Sequence, residues 1–283
     1  MPRVEKIKLI TSSPGTHRFV NVYRWGRQGC GPTVYIQASI HADEVPGILV
    51  ANHLSKMLDA AESREEIFGD IIIVPFANPI GLSQSVLGKH VGRFCVDSGV
   101  NFNRAWFDGT DVVAERIEGK LTDDSTQNVA LIREELILAI EAAPANTEDE
   151  HLKKVLGGLA APCDIVLDLH CDSDAVLHMY THDRLWPKLM DLSEELGSQC
   201  QILDSNSGGQ CFDESCCNIW ANLAERFPEF PIPMACEACT VELRGESDVI
   251  ARYSHFCPYL SLISCVYMLW SLDLTGVRQS SKQ

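Results

Sequence analysis

Apolar residues recur along this chain with two different rhythms, and the order in which the rhythms alternate predicts its architecture. Residues 18–25 alternate apolar with polar positions and 6–10 is read with them, the pattern of strands that bury one face. Residues 33–39 (Thr-Val-Tyr-Ile-Gln-Ala-Ser), 70–75 and 165–170 are more continuously apolar, as strands covered on both faces are. Shorter apolar runs at 176–180, 200–203 and 240–243 predict further strands. Between them the spacing becomes helical. Pro46 sits where a helix favours a first-turn proline, and the segment runs to about residue 61. Residues 123–126 (Asp-Asp-Ser-Thr) offer N-caps to a helix ending near 142, Thr147-Glu-Asp-Glu150 caps a second ending near 159, and a third spans 186–196. Residues 83–124 carry few periodic runs, which in a compact domain points to a functional surface. Gly208-Gly209 marks another loop.

Strands alternating with helices imply an α/β fold with a mixed, mostly parallel central sheet flanked by helices. With 283 residues and neither repeat nor convincing linker, one domain spanning 1–283 is expected, its catalytic core at about residues 30–250.

Charge narrows the partners. A formal net charge of −16 lacks the Lys/Arg surplus needed to neutralise phosphates, so neither nucleic acid nor an anionic membrane is an expected partner. Any anionic substrate must be caught by local arginines. The start of the chain, Met-Pro-Arg-Val-Glu-Lys, has no apolar signal region, and no stretch is long and apolar enough to span a bilayer, so a cytoplasmic location is expected. The 12 cysteines are scattered through a large chain and are read mostly as reduced, buried small hydrophobes. Cys211, Cys216, Cys217, Cys236 and Cys239 form a sub-cluster, but one C-x-x-C without a second paired knuckle is a weak zinc or redox signal.

Four short strings carry the chemistry: His41-Ala-Asp-Glu44, Asn101-Phe-Asn-Arg104, Leu167-Asp-Leu-His170 and Thr240-Val-Glu-Leu-Arg244. His41 and Glu44 follow one predicted strand directly, His170 ends another and Glu242 a third, and ligands of open α/β sheets bind beyond strand carboxyl ends. Two histidines and a glutamate suit a zinc that keeps one position open for water, one per chain, while Glu242 is free to handle a proton. Each string alone is commonplace, since a histidine ending a strand is more often a hydrogen-bonded structural residue. The other histidines, His53, His178 and His255 among them, are read as structural or exposed.

Taken in order, these strings resemble the zinc carboxypeptidase superfamily, in its succinylglutamate desuccinylase/aspartoacylase-like branch, from about residue 34 to 243. The resemblance implies zinc held by His41, Glu44 and His170, and Glu242 as general acid/base. It implies a substrate carboxylate clamped by Asn103 and Arg104, and a scissile carbonyl polarised by Arg93. Bidentate guanidinium groups suit that recognition, and two of them in so acidic a chain are not surface decoration. Asn101 stands where the family commonly has an aspartate orienting a zinc histidine; an asparagine accepts the same hydrogen bond without the charge. Tyr180 and Tyr253 are candidates for the tyrosine near the substrate. The branch often adds a β-rich carboxy-terminal domain, for which the apolar stretch 256–274 after Glu242 is no match, so peptide substrates stay open.

The expected activity is hydrolysis of an amide next to a free carboxylate in a small substrate, an N-acyl amino acid or a short peptide. A deacylase is the first reading, a metallocarboxypeptidase the alternative. A non-catalytic zinc or ligand-binding module and a thiol or redox protein are the rivals of other classes. Acyl group, side-chain preference and oligomeric state are not written in the sequence.

Overall fold

The computed structural model describes residues 1–249; Tyr253, His255 and the stretch 256–274 lie outside the described residues. Ten strands and six helices follow one another as β1 (Arg3–Lys8), β2 (Phe19–Gly26), β3 (Thr33–Ala38), α1 (Pro46–Ser63), β4 (Asp70–Val74), β5 (Ser85–Val86), β6 (Lys89–His90), α2 (Thr110–Ile117), α3 (Ser125–Ala142), α4 (Glu148–Ala160), β7 (Ile165–Asp172), β8 (Leu177–Thr181), α5 (Trp186–Leu196), β9 (Cys200–Leu203), α6 (Phe212–Arg226) and β10 (Glu237–Gly245). Eight strands make one sheet in the order β1-β2-β4-β3-β7-β10-β8-β9, while β5 and β6 form a separate hairpin.

The centre of this sheet is parallel: β3 pairs β4 and β7, and β7 pairs β10. Parallel strands must be covered on both faces, and β3, β4 and β7 are accordingly buried along almost their whole length. Antiparallel pairs lie outside, with β1 on β2, β2 on β4 and β8 on β10. The edge strands β1 and β9 are short and largely exposed, which limits their use as templates for another chain. One continuous apolar cluster runs through sheet and helices.

Two helices start on the caps that the sequence offers. Asp124 Oδ1 accepts the backbone N–H of Thr126 and Gln127 to start α3. Thr147 and Glu150 form the predicted capping box of α4. Two helices were not predicted. α2 has only eight residues and starts at Gly109 with no side-chain cap, so its apolar stripe is too short to register. α6 buries Phe212, Cys216, Cys217, Ile219, Trp220 and Leu223, a legible helical stripe. Its start is masked because Cys211, not Ser, Thr, Asp or Asn, occupies the N-cap. Of the cysteine sub-cluster, Cys216 and Cys217 therefore belong to the packing of α6, Cys211 to its N-cap, and Cys239 to β10 with Cys236 buried just before it. Burial raises the pKa values of Cys216, Cys217 and Cys236, and among the described residues no cysteine joins a group able to hold a metal.

Strand register then lays out polar residues on one side of the sheet. Gln37 of β3 pairs Asp168 of β7, which pairs Thr240 of β10, which pairs Tyr180 of β8. Two residues on, His170, Glu242 and His178 form a parallel row. Paired residues project to the same face, so the rows converge at the carboxyl ends of β7 and β10. Register breaks immediately after Glu242. Among the described residues no helix is long and apolar enough to cross a membrane.

Candidate active site

The turn after β3 delivers the first two side chains. Ser39 turns the chain out of the strand at φ 62, a left-handed conformation rare for a residue with a Cβ, and its Oγ donates to Pro75 O at 3.3 Å. Gly92 crosses directly over the turn: Ala42 N–H donates to Gly92 O at 3.0 Å, and a Cβ on Gly92 would fall 2.1 Å from Asp43 N. Only glycine fits there, and its neighbour Arg93 is thereby brought beside Glu44.

Three donors meet in this turn. Glu44 Oε1 lies 2.8 Å from His41 Nδ1, and Glu44 Oε2 lies 2.8 Å from Nδ1 of His170 at the end of β7. All three residues are buried, with ligand atoms within 4.8 Å of one another. The outer ring nitrogens settle the tautomers. Asn101 Oδ1 accepts the Asn103 backbone N–H at 2.8 Å, which identifies that atom as the oxygen; His41 Nε2, also 2.8 Å away, must then be the N–H donor. His170 Nε2 donates to Asp168 Oδ2 at 2.9 Å. Both Nδ1 lone pairs therefore aim at one carboxylate. Acceptors facing acceptors are held together only by a cation, a proton or a metal. The donor set thus fits the implied zinc, with the supporting carbonyl and carboxylate that metal-binding imidazoles usually carry behind them.

The electrostatics agree. Burial alone would raise the pKa of Glu44, but His170 and His41 outweigh it and hold the carboxylate well below its ordinary range. Burial disfavours a charged His170, yet Asp168 and Glu44 raise its affinity for a positive charge well above normal. The Cys171 backbone N–H secures Glu44 Oε2 at 3.1 Å. Behind Asp168 the support continues inward, with Gln37 Nε2 donating to Asp168 Oδ1 at 3.0 Å and Tyr35 Oη donating to Gln37 Oε1 at 2.9 Å. Asp168 and Gln37 went unrecognised in the sequence. The signal for Asp168 was its place two residues before His170, on the same face of one strand.

A cleft of about 350 Å³ opens beside the donors, lined by His41, His170, Glu242, Arg93, Asn103 and Arg104 together with Tyr180 and several acids. Glu242 Oε2 is buried and has no hydrogen-bond partner among the described residues. Burial raises the Glu242 pKa, His170 opposes the shift, and Glu44 adds to it. Arg93 Nη2 donates to Glu44 Oε1 at 3.0 Å, and its side chain stays 43% exposed. Arg104 is exposed and Nη1 donates to Asn103 O at 2.7 Å; no carboxylate pairs with it among the described residues. Asn103 is more committed than the sequence suggests. Its Oδ1 accepts from Trp106 Nε1 at 3.0 Å and from Phe212 N at 2.9 Å; Nδ2 then faces His170 Nε2 at 3.3 Å, two donors in contact without a hydrogen bond while that imidazole donates to Asp168. Asp213 also borders the cleft: burial lifts its pKa to about 6, the Cys211 thiol's hydrogen bond opposes the shift, and the Asp168 charge adds to it.

Comparison with known proteins bears on this geometry. Residues 30–133 match the succinylglutamate desuccinylase/aspartoacylase catalytic domain. The structure is similar to that of a succinylglutamate desuccinylase/aspartoacylase family protein from Shewanella amazonensis, with 28% identity and a TM-score of 0.77 over 92% of this chain and 69% of that one. A Shewanella frigidimarina protein described in the same terms gives 25% identity and a TM-score of 0.75 over 92% and 68%. A metallo-carboxypeptidase from Burkholderia cenocepacia shares the fold at 16% identity, with a TM-score of 0.52 over 86% and 55%. No curated protein matches in sequence. The family resemblance is borne out where residues 30–133 match the succinylglutamate desuccinylase/aspartoacylase catalytic domain, and the α/β fold is the one these structures share.

Proposed function

We propose that this chain is a zinc-dependent hydrolase that cleaves an amide next to a free carboxylate, acting as an N-acyl amino acid deacylase. The observation that carries the reading is the meeting of the His41, Glu44 and His170 donor atoms within 4.8 Å, beside a cleft holding an unpartnered Glu242 oxygen and two arginines. Zinc, when bound by His41, Glu44 and His170, supplies Lewis acidity toward the scissile carbonyl and the attacking water.

The chain's own groups do the rest. Asp168 and Asn101 hold the two imidazoles in the tautomer that presents Nδ1. Glu242, raised in pKa by burial, takes the proton of the attacking water and returns it to the leaving nitrogen. Arg93, at the junction of donor cluster and cleft, faces the oxygen on which negative charge develops. Arg104, its Nη1 on Asn103 O, receives the substrate carboxylate with Asn103.

The test is metal analysis followed by hydrolysis of N-acyl amino acids and short peptides. One zinc per chain, activity lost to a chelator and free amino acid released from N-acyl substrates are expected. Release of carboxy-terminal residues from peptides alone would make the protein a carboxypeptidase. A zinc-loaded chain that hydrolyses neither would be a binding module.

A further inference from the structure

Residues 204–211 link β9 to α6 and cross the segment that bears Arg104. Two backbone hydrogen bonds pin the crossing: Ala105 N–H donates to Gly209 O at 2.9 Å, and Trp106 N–H to Gln210 O at 3.2 Å. Ala105 and Gln210 both adopt positive φ, 55 and 48, although neither is glycine. Such backbone persists only where the surroundings hold it. The contact is close. A Cβ on Gly209 would stand 2.4 Å from Arg104 Cδ and 2.7 Å from Nε, so the arginine stem lies on a bare Cα. Gly209 is not at positive φ; the room a Cβ would need is taken by the Arg104 side chain, which would have to move aside.

The far side of the segment is held as well. Buried Lys153 of α4 donates from Nζ to Arg104 O at 2.7 Å. With no carboxylate partner among the described residues, the Arg104 guanidinium is placed by its 2.7 Å hydrogen bond to Asn103 O and by the packing of its stem on Gly209. An arginine side chain surrenders about 2 kcal/mol of rotamer freedom when fixed, so pre-placement by packing directly strengthens whatever anion it meets.

We propose that Gly209 is a positioning residue for Arg104, its missing side chain setting how deep in the cleft the guanidinium stands. This rests on Arg104 receiving the substrate carboxylate. The test compares Gly209→Ala, Gly208→Ala, Arg104→Ala and the Gly209→Ala/Arg104→Ala double variant. Kinetics are measured on an N-acyl amino acid and on its carboxamide, with thermal unfolding of each protein. Gly209→Ala should raise KM for the acid about tenfold or more, as weakening one charge-assisted contact does, while leaving kcat and the carboxamide KM unchanged. It should lower Tm, and truncating Arg104 should restore Tm because the clash partner is gone. The double variant should discriminate acid from amide no worse than Arg104→Ala alone. Gly208 sits in open space at φ 81, so alanine there strains the same loop without touching Arg104 and should leave the acid KM intact. Unchanged acid KM in Gly209→Ala, an equal rise in Gly208→Ala, or additive effects in the double variant would each overturn the proposal. Unchanged acid-over-amide preference in Arg104→Ala would remove the clamp itself, a distinct result.

Discussion

The two walls of the cleft are built by different physics. On the donor wall, His41, Glu44 and His170 stand at strand ends, are almost fully buried, and have their outer atoms fixed by Asn101, Asp168 or a backbone N–H. On the opposite wall Arg93 and Arg104 come from the long segment between β4 and α3; Arg93 is 43% exposed where its partner Glu44 is 2% exposed. The three donor side chains are held because their own polar atoms are committed, while Glu242 Oε2 beside them is left open; the arginine wall stays partly uncommitted because a substrate has to complete it. Loss of a group should therefore act on chemistry or metal affinity on the first wall and mainly on substrate handling on the second.

Glu242→Gln is the strongest challenge to that division. A turnover loss on the order of 10² to 10⁴ at unchanged zinc content is expected of a residue handling the proton. Burial raises this carboxyl and only its ionised form serves as base, so the acid limb of kcat/KM should lie above the ordinary glutamate range and activity should be gained as pH rises through it. The Gln variant should lack that limb; near-normal kcat would assign Glu242 to structure. Arg93→Ala comes next, because Arg93 touches both walls: kcat should fall by about 3 kcal/mol in barrier terms, the cost of losing one oxyanion donor, whereas a pure KM effect would place it wholly on the substrate wall. Asp168→Asn should weaken zinc affinity by about 10- to 100-fold in a competition titration against a chelator. Asn101→Asp should tighten it, and equal affinities across the series would show that the imidazoles need no support. The smallest effect belongs to neither wall: Thr147→Ala removes the cap of α4 and should cost about 1 kcal/mol of stability by denaturant unfolding, with kcat unchanged.

How much of this was legible follows the same division. Strand ends were readable because apolar runs such as 165–170 stop at a polar residue, and that alone put His41, His170 and Glu242 on one rim. The capped helices α3 and α4 were readable from Asp124 and Thr147. Asp168 escaped notice because an acid inside an apolar run looks like an interruption until register places it beside Gln37. α6 was hidden by a thiol at its N-cap. Arg93 and Arg104 came from the family resemblance, and their surroundings could not be foreseen, since Gly92 and Gly209 reach them through loop crossings that no local pattern encodes.

The long crossings also govern when the site can exist. Glu44 and His170 meet across 126 residues, and β3 pairs β7 over a comparable span. Closing such loops is entropically late and slow, more so for parallel strands. Before the centre of the sheet has formed, an arriving zinc finds only the local pair His41 and Glu44. The affinity of a zinc bound there would therefore belong to the finished fold and would add about 4 kcal/mol to stability at a thousandfold excess over its dissociation constant. Interactions absent from the folding transition state slow unfolding and leave the folding rate alone, so a metal held here acts as a lock turned after assembly, not as a template for it.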